Sequence, residues 1–262
     1  MKFVHTADLH FGGSKVLHDH ALPRQEEAFD QVFDVAKKHG IDTVVIAGDV
    51  FDVSEPEQAV RDLVTRKILE YDSAGFTILI IPGNHDLADL SGYTALHPLA
   101  SMYKKGYLRN SVVVEETTYV QIGTTVFCLM VHPPGEFRKH SASAVADLVT
   151  SPLRVPYDDL VMVCHEAIKG SHTDVRLSSG GHYQMESGED RPDESLPVTY
   201  WALGDIHKRQ RVSRNAFYPG APLQIRFGDE WPKGCLVVDT EDPGRPVFER
   251  IYTNQMTKVS PG

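Results

Sequence analysis

The chain has 262 residues, 41% hydrophobic and 24% charged, with 20 Gly and 16 Pro, an ordinary globular composition that excludes collagen-like and disordered classes. Lys and Arg total 26 against 36 Asp and Glu, a formal charge of −10. That argues against a surface sheathed in non-specific phosphate contacts, and leaves room for a local site where metal ions supply the positive field.

The first apolar run, residues 3–6, is too short for a helix and reads as a buried strand. Pro23 then opens a segment whose Ala28, Phe29, Val32, Phe33 and Ala36 fall on one helical face, closed by Gly40. A second strand is expected over 43–47, followed by Ser54-Glu55-Pro56-Glu57, where Ser54 and Glu57 have the spacing of a capping box. The helix after it would bury Val60, Leu63, Val64, Ile68 and Tyr71. Further strands are expected over 77–81, 126–131, 160–164 and 200–203, with antiparallel hairpins at 119–122/125–131 and 234–240/247–252. The segment 169–197 is polar and aperiodic and reads as a long irregular loop. Early strand–helix alternation implies parallel βαβ units, and the later hairpins make the sheets mixed. The length fits one domain over 1–262, with hairpin 234–252 part of it.

Cys128, Cys164 and Cys235 are far apart within apolar runs and read as core thiols. The longest apolar runs fall far short of the roughly 20 residues of a membrane span, and the N-terminus lacks the apolar stretch of a secretory signal. A soluble, cytoplasmic protein without membrane contact is expected.

Metal-capable side chains follow five of the strands: Asp8 and His10; Asp49 and Asp52; Asn84, His85 and Asp86; His165; and Asp205 with His207. In open α/β sheets the site lies beyond the carboxyl ends of the strands, so turns scattered over 200 positions can converge on one crevice. Any one of them alone is as well explained as a turn or cap; their joint placement is not. Carboxylates, an amide oxygen and imidazoles without thiolate suit divalent ions such as manganese, iron or zinc, and there are more ligands than one ion needs.

The motifs His5-Thr6-Ala7-Asp8-Leu9-His10, Ala47-Gly48-Asp49-Val50-Phe51-Asp52, Pro82-Gly83-Asn84-His85-Asp86 and Tyr200 through Lys208 resemble the calcineurin-like metallophosphoesterase superfamily. Tyr218-Pro219-Gly220-Ala221-Pro222, then Phe227-Gly228-Asp229-Glu230 and Lys233-Gly234, make the chain most similar to the SbcD-type DNA repair nucleases. The resemblance covers roughly residues 1–240. It implies a four-layer αββα sandwich of two mixed sheets and two divalent ions, most readily Mn²⁺, with Mg²⁺, Fe²⁺ or Zn²⁺ as alternatives. One ion would be held by Asp8, His10, Asp49 and His207, the other by Asp49, Asn84, His165 and Asp205, with Asp49 bridging. A metal pair of this kind activates water for phosphodiester hydrolysis.

The resemblance gives His85 a general-acid or phosphate-positioning role. Asp52 either orients His85 or a ligand histidine, or caps the following helix. In one respect the chain departs from the family: Asp205 stands where these nucleases usually carry histidine, which lowers the charge of the site and favours an oxygen-loving ion over zinc.

Lys208, Arg209, Arg211, Arg214 and Arg226 form the densest basic group, able to grip a DNA backbone or to remain a solvated loop. His18 and His20 are expected in an exposed connector and His132 in a structural role, with His172 and His182 in the irregular loop. The family dimerises and associates with a coiled-coil SbcC-type ATPase, partly through regions beyond the phosphoesterase core. Since the chain ends at Pro261-Gly262, a capping domain and the ATPase-binding helices are expected to be absent from it. The function expected is a metal-dependent DNA exonuclease, able also to nick single strands. Alternatives are a phosphodiesterase or phosphomonoesterase for nucleotides or small esters, and a non-catalytic protein that binds DNA ends.

Overall fold

The computed structural model describes residues 1–13, 21–87, 94–131, 137–150, 156–176, 182–184, 190–225 and 231–253. The first half of the chain runs β1 (Lys2–Thr6), α1 (Ala21–Lys38), β2 (Thr43–Ala47), α2 (Gln58–Ser73), β3 (Thr77–Ile81), α3 (His97–Lys104), β4 (Val112–Val113), β5 (Thr118–Ile122) and β6 (Thr125–Leu129). The second half runs α4 (Phe137–Thr150), β7 (Asp159–His165), β8 (His172–Arg176), β9 (His182–Gln184), β10 (Tyr200–Gly204), β11 (Gln210–Ser213), β12 (Ala216–Tyr218), β13 (Gly234–Asp239) and β14 (Val247–Arg250).

Two six-stranded sheets form, in the orders β14-β13-β1-β2-β3-β4 and β11-β12-β10-β7-β6-β5. Parallel pairing joins β1 to β4 in the first and links β6, β7, β10 and β12 in the second, while β1–β13, β13–β14, β5–β6 and β11–β12 are antiparallel. Near-continuous apolar strands are what a sheet covered on both faces requires, since successive side chains point to opposite sides. Val4, Val44, Ile46, Ile78 and Ile80 pack with Phe29, Phe33, Val64, Ile68 and Leu99 of the helices on the first sheet. Their neighbours Phe3, Val45, Leu79 and Ile81 turn inward to meet Phe127, Leu129, Val161, Val163 and Tyr200 of the second sheet. Val126, Cys128, Leu160, Met162 and Trp201 face outward onto Ala144 and Val145 of α4. The result is the expected αββα sandwich of two mixed sheets, with all three cysteines buried. Burying each such Val, Leu, Ile or Phe stabilises the fold by about 1.5–3 kcal/mol, so the three apolar layers hold the strand ends in fixed register.

The C-terminal hairpin joins the first sheet, where β13 pairs directly with β1. Two local expectations fail. The segment 169–197 is not wholly irregular, because β8 and β9 pair as a small antiparallel sheet with a register shift. The predicted capping box does not form: α2 starts at Gln58, with Glu57 in the cap position and no side-chain cap bond. Ser54 lies too far ahead of that first turn to reach its amides.

Candidate metal centre

Because β1, β2 and β3 are parallel neighbours in register, their carboxyl ends open side by side. The loop leaving β1 lies along the loop leaving β2: the amides of Asp8, His10 and Phe11 donate to the carbonyls of Gly48, Asp49 and Val50 at 3.1, 3.0 and 2.9 Å. The Asp52 amide returns a bond to the Phe11 carbonyl at 3.1 Å. Fully buried Asp86 fastens the third loop, accepting from the amides of Gly83 (2.9 Å), Val50 (3.1 Å) and Phe51 (2.7 Å). Burial and the nearby Asp49 push the Asp86 carboxyl up to about 7, against the pull of those three amides. Asp49 Oδ1 in turn accepts the His85 amide at 2.9 Å.

From the second sheet, β7 and β10 end together, with His165 opposite Gly204. A Cβ on Gly204 would overlap the Ala47 carbonyl, and one on Gly48 would overlap the His165 ring, so the sheets approach only because both positions lack side chains. The Asp205 amide donates to Asp8 Oδ1 at 3.0 Å. Among the described residues, the non-glycine positions with positive φ are Asp8 (57°), His10 (47°), Asp49 (50°) and Asp205 (97°). L-residues adopt this region at a cost, and its concentration at four clustered metal-capable residues marks a place where geometry outranks local comfort.

Three imidazoles are held by Nδ1 bonds to acceptors, which leaves Nε2 available as a ligand or proton donor. His165 donates to the Ala47 carbonyl (2.8 Å), His10 to the Asp52 carboxylate (3.0 Å) and His85 to the Asp52 carbonyl (2.7 Å). His165 Nε2 then lies 3.0 Å from Asn84 Oδ1, 3.4 Å from Asp49 Oδ2 and 3.8 Å from Asp205 Oδ1. His10 Nε2 lies 3.1 Å from His207 Nε2 and 3.4 Å from Asp49 Oδ2. The His85 ring stands edge-on to that of His10, with centroids 4.7 Å apart.

All seven expected ligands, with His85 and Asp52, are thus brought to one cluster. Donor atoms of Asp8, His10 and His207 lie within 4.8 Å of one another, as do those of Asp8, Asp49 and His165, and those of His10, Asp52 and His85. Two nitrogens binding one ion at about 2.1 Å sit roughly 3–3.4 Å apart, which the His10–His207 separation matches. Asp8 Oδ2 is buried without a hydrogen-bond partner, which is unusual for a carboxylate oxygen unless a cation satisfies it.

The field is strongly negative. Burial opposes both charges of the Asp49–His165 pair. Even so, His165 and His10 hold the Asp49 carboxyl below its ordinary range, and Asp49, Asp8 and Asp205 hold the His165 imidazole well above its own. Burial, then Asp8 and Asp49, push Asp205 up to about 6 against the attraction of His165.

Asp52 is not the cap of α2; its carboxylate serves His10 and its carbonyl serves His85. In the basic group, Lys208 lies 3.8 Å over the Trp231 ring and Arg209 4.3 Å over Phe248. Arg211 donates to the carbonyls of Ser213 (2.7 Å) and Arg214 (2.8 Å), and Arg214 itself is exposed. Arg226, His18, His20 and His132 lie outside the residues whose surroundings the structure describes. Exposed His172 bonds Gln210 through its backbone, and His182 begins β9. Sequence reasoning groups Asp86 with the metal-capable residues without naming its part, and gives none to the Ala47 carbonyl or to Trp231. Only Asp86 carries a signal, as the last residue of the Gly83–Asp86 motif.

A family model described as calcineurin-like phosphoesterase matches residues 1–209. The chain is 27% identical over 254 residues to the DNA double-strand break repair protein Mre11 of Saccharolobus solfataricus, covering 91% of this chain and 60% of that protein. It is 28% identical over 279 residues to the SbcD component of the nuclease SbcCD of Bacillus subtilis, covering 96% and 69%. The chain therefore spans about two thirds or less of the length of these relatives. Among solved structures, purple acid phosphatase PPD1 from yellow lupin aligns with a TM-score of 0.53 and 14% identity, over 99% of this chain and 57% of that one. That likeness concerns the fold.

Proposed function

Because the chain belongs to the calcineurin-like phosphoesterase family, we propose that it is a metal-dependent DNA nuclease, hydrolysing phosphodiester bonds at DNA ends and nicking single strands during repair. One observation carries the reading: two oxygen and nitrogen donor sets meet at Asp49, with the His85 ring beside them. Asp8, His10, Asp49 and His207 would hold one divalent ion, and Asp49, Asn84, His165 and Asp205 a second. Such ions, Mn²⁺ foremost, supply charge that neutralises the phosphate and acidifies water.

The chain's own groups divide the remaining work. His85, anchored through Nδ1, presents Nε2 to pass a proton to the leaving oxygen, a task suited to an imidazole near neutral pH. Asp52 positions His85 with its carbonyl and His10 with its carboxylate, so that a single residue aligns the acid and a metal ligand. Asp86 keeps the loops from parting. Lys208, next to His207, supplies a cation for the DNA backbone.

The names of the relatives support DNA over small esters, while the formal charge of −10 favours the small-ester reading. The motif resemblance extends the partners to a coiled-coil SbcC-type ATPase and a second copy of the chain. No helix among the described residues is long and apolar enough to cross a membrane. The deciding assay offers linear duplex DNA, single-stranded circles, a cyclic dinucleotide and a generic phosphomonoester with Mn²⁺, Mg²⁺ or chelator. We expect DNA to be degraded with Mn²⁺ and spared with chelator; hydrolysis of small esters with DNA left intact would overturn the nuclease reading.

A further inference from the structure

We propose that Lys208 and Trp231 form a landing site for the nucleotide flanking the scissile phosphate, Trp231 stacking on its base and Lys208 meeting its phosphate. The inference rests on the nuclease reading and names what that site recognises: a base-bearing strand without sequence preference.

Lys208 directly follows His207, and its backbone is fixed against the metal centre. The His207 carbonyl accepts the Ala221 amide at 3.1 Å, and the Gln210 side chain donates to the Lys208 carbonyl at 3.2 Å. Gly220, with φ of 76°, passes so close that a Cβ there would lie 2.7 Å from the His207 carbonyl oxygen and the Arg209 amide nitrogen. The ammonium at this fixed position lies 3.8 Å from the Trp231 ring centroid.

The chain holds two tryptophans with contrasting surroundings. Trp201 is 1% exposed within the layer under α4, whereas Trp231 is only partly buried. A cation over a ring face keeps its N–H donors able to reach an anion, and the ring keeps a π surface able to accept a base. An aromatic platform interleaved with a cation is how proteins hold single strands without reading bases, because every base has a π face. Of the other basic residues described nearby, Arg211 is tied to its own turn, and Arg209 rests on Phe248 of β14 in the first sheet. In a chain of net charge −10, Lys208 is the described cation that directly follows His207 and can guide a backbone toward it.

The test measures binding by fluorescence anisotropy, in chelator, of a labelled single-stranded oligonucleotide and of its abasic counterpart to wild type, Trp231→Ala and Trp231→Phe. Melting curves confirm that each variant is folded. Loss of one stacked base weakens binding about tenfold, so Trp231→Ala should lose about that factor on the base-bearing strand. Trp231→Phe should retain most of the affinity, and the three proteins should bind the abasic strand alike. Equal losses on both strands, or no loss on either, would overturn the inference. Should wild type degrade DNA while Trp231→Ala binds it undiminished, the landing site fails and the nuclease reading stands. Should wild type hydrolyse only small esters, the nuclease reading itself fails.

Discussion

Loops leaving the first sheet are stitched to one another through their backbones. Those leaving the second sheet are tied within that sheet, Glu166 to Gly204 and His207 to Ala221, and cross to the first through single groups. Asp8, His10, Phe11 and Asp52 take part in four main-chain bonds between neighbouring loops, and Asp86 gathers three more amides. Opposite them, His165 is held by the Ala47 carbonyl and Asp205 by its amide on Asp8, while His207 meets His10 ring to ring. The half that leaves the first sheet is therefore the more densely tied from loop to loop. The other is docked against it across a layer of apolar side chains, and bound cations are what would draw its carboxylates and imidazoles together.

The largest expected effect comes from Asp49, which leaves the first sheet and belongs to both proposed donor sets. Asp49→Asn should lower phosphodiester hydrolysis on the order of 10³-fold, the loss of several kcal/mol of charge stabilisation. Elemental analysis should find fewer than two ions per chain; full occupancy would mean that the two donor sets do not share this ligand. His85→Ala should keep both ions and lose about 10²–10³-fold in turnover, as the removal of a general acid does. A near-wild-type rate would remove His85 from the chemistry.

Asp86→Asn attacks the stitching and not the ligands. It puts an amide group against backbone donors and should cost about 1–3 kcal/mol, read by urea unfolding in chelator. An unchanged midpoint would show that the first half does not depend on it. Asp205→His alters the docked half alone and should raise the zinc-to-manganese affinity ratio about tenfold. Competition calorimetry that finds the ratio unmoved would dismiss this residue as a selector of metal.

The five turns are legible in the sequence because each sits at the end of an apolar run, and parallel strands place such ends on one edge. The layers are legible for the same reason: runs such as Thr77–Ile81 are apolar on both faces and therefore need cover on both. What the sequence does not disclose depends on partners distant along the chain. Asp86 works through amides 35 and 36 positions earlier, and nothing local distinguishes it from a turn residue. The Ser54 capping pattern is present, but the chain enters α2 three residues later than the box requires. Ser, Glu and Pro in succession suit an extended approach as well as a cap. The β8–β9 pair is hidden because its residues lack alternation, as a small sheet with a register shift allows.

Four left-handed backbones at Asp8, His10, Asp49 and Asp205 also bear on how the protein should be handled. Each costs of the order of 1–2 kcal/mol, and ions that bind only the folded chain offset that burden by mass action. Stripping with chelator should therefore bring earlier thermal melting, and material purified in EDTA should be the first to precipitate on warming. Shelf life and heat tolerance would then follow the trace manganese in the storage buffer more closely than its salt or glycerol.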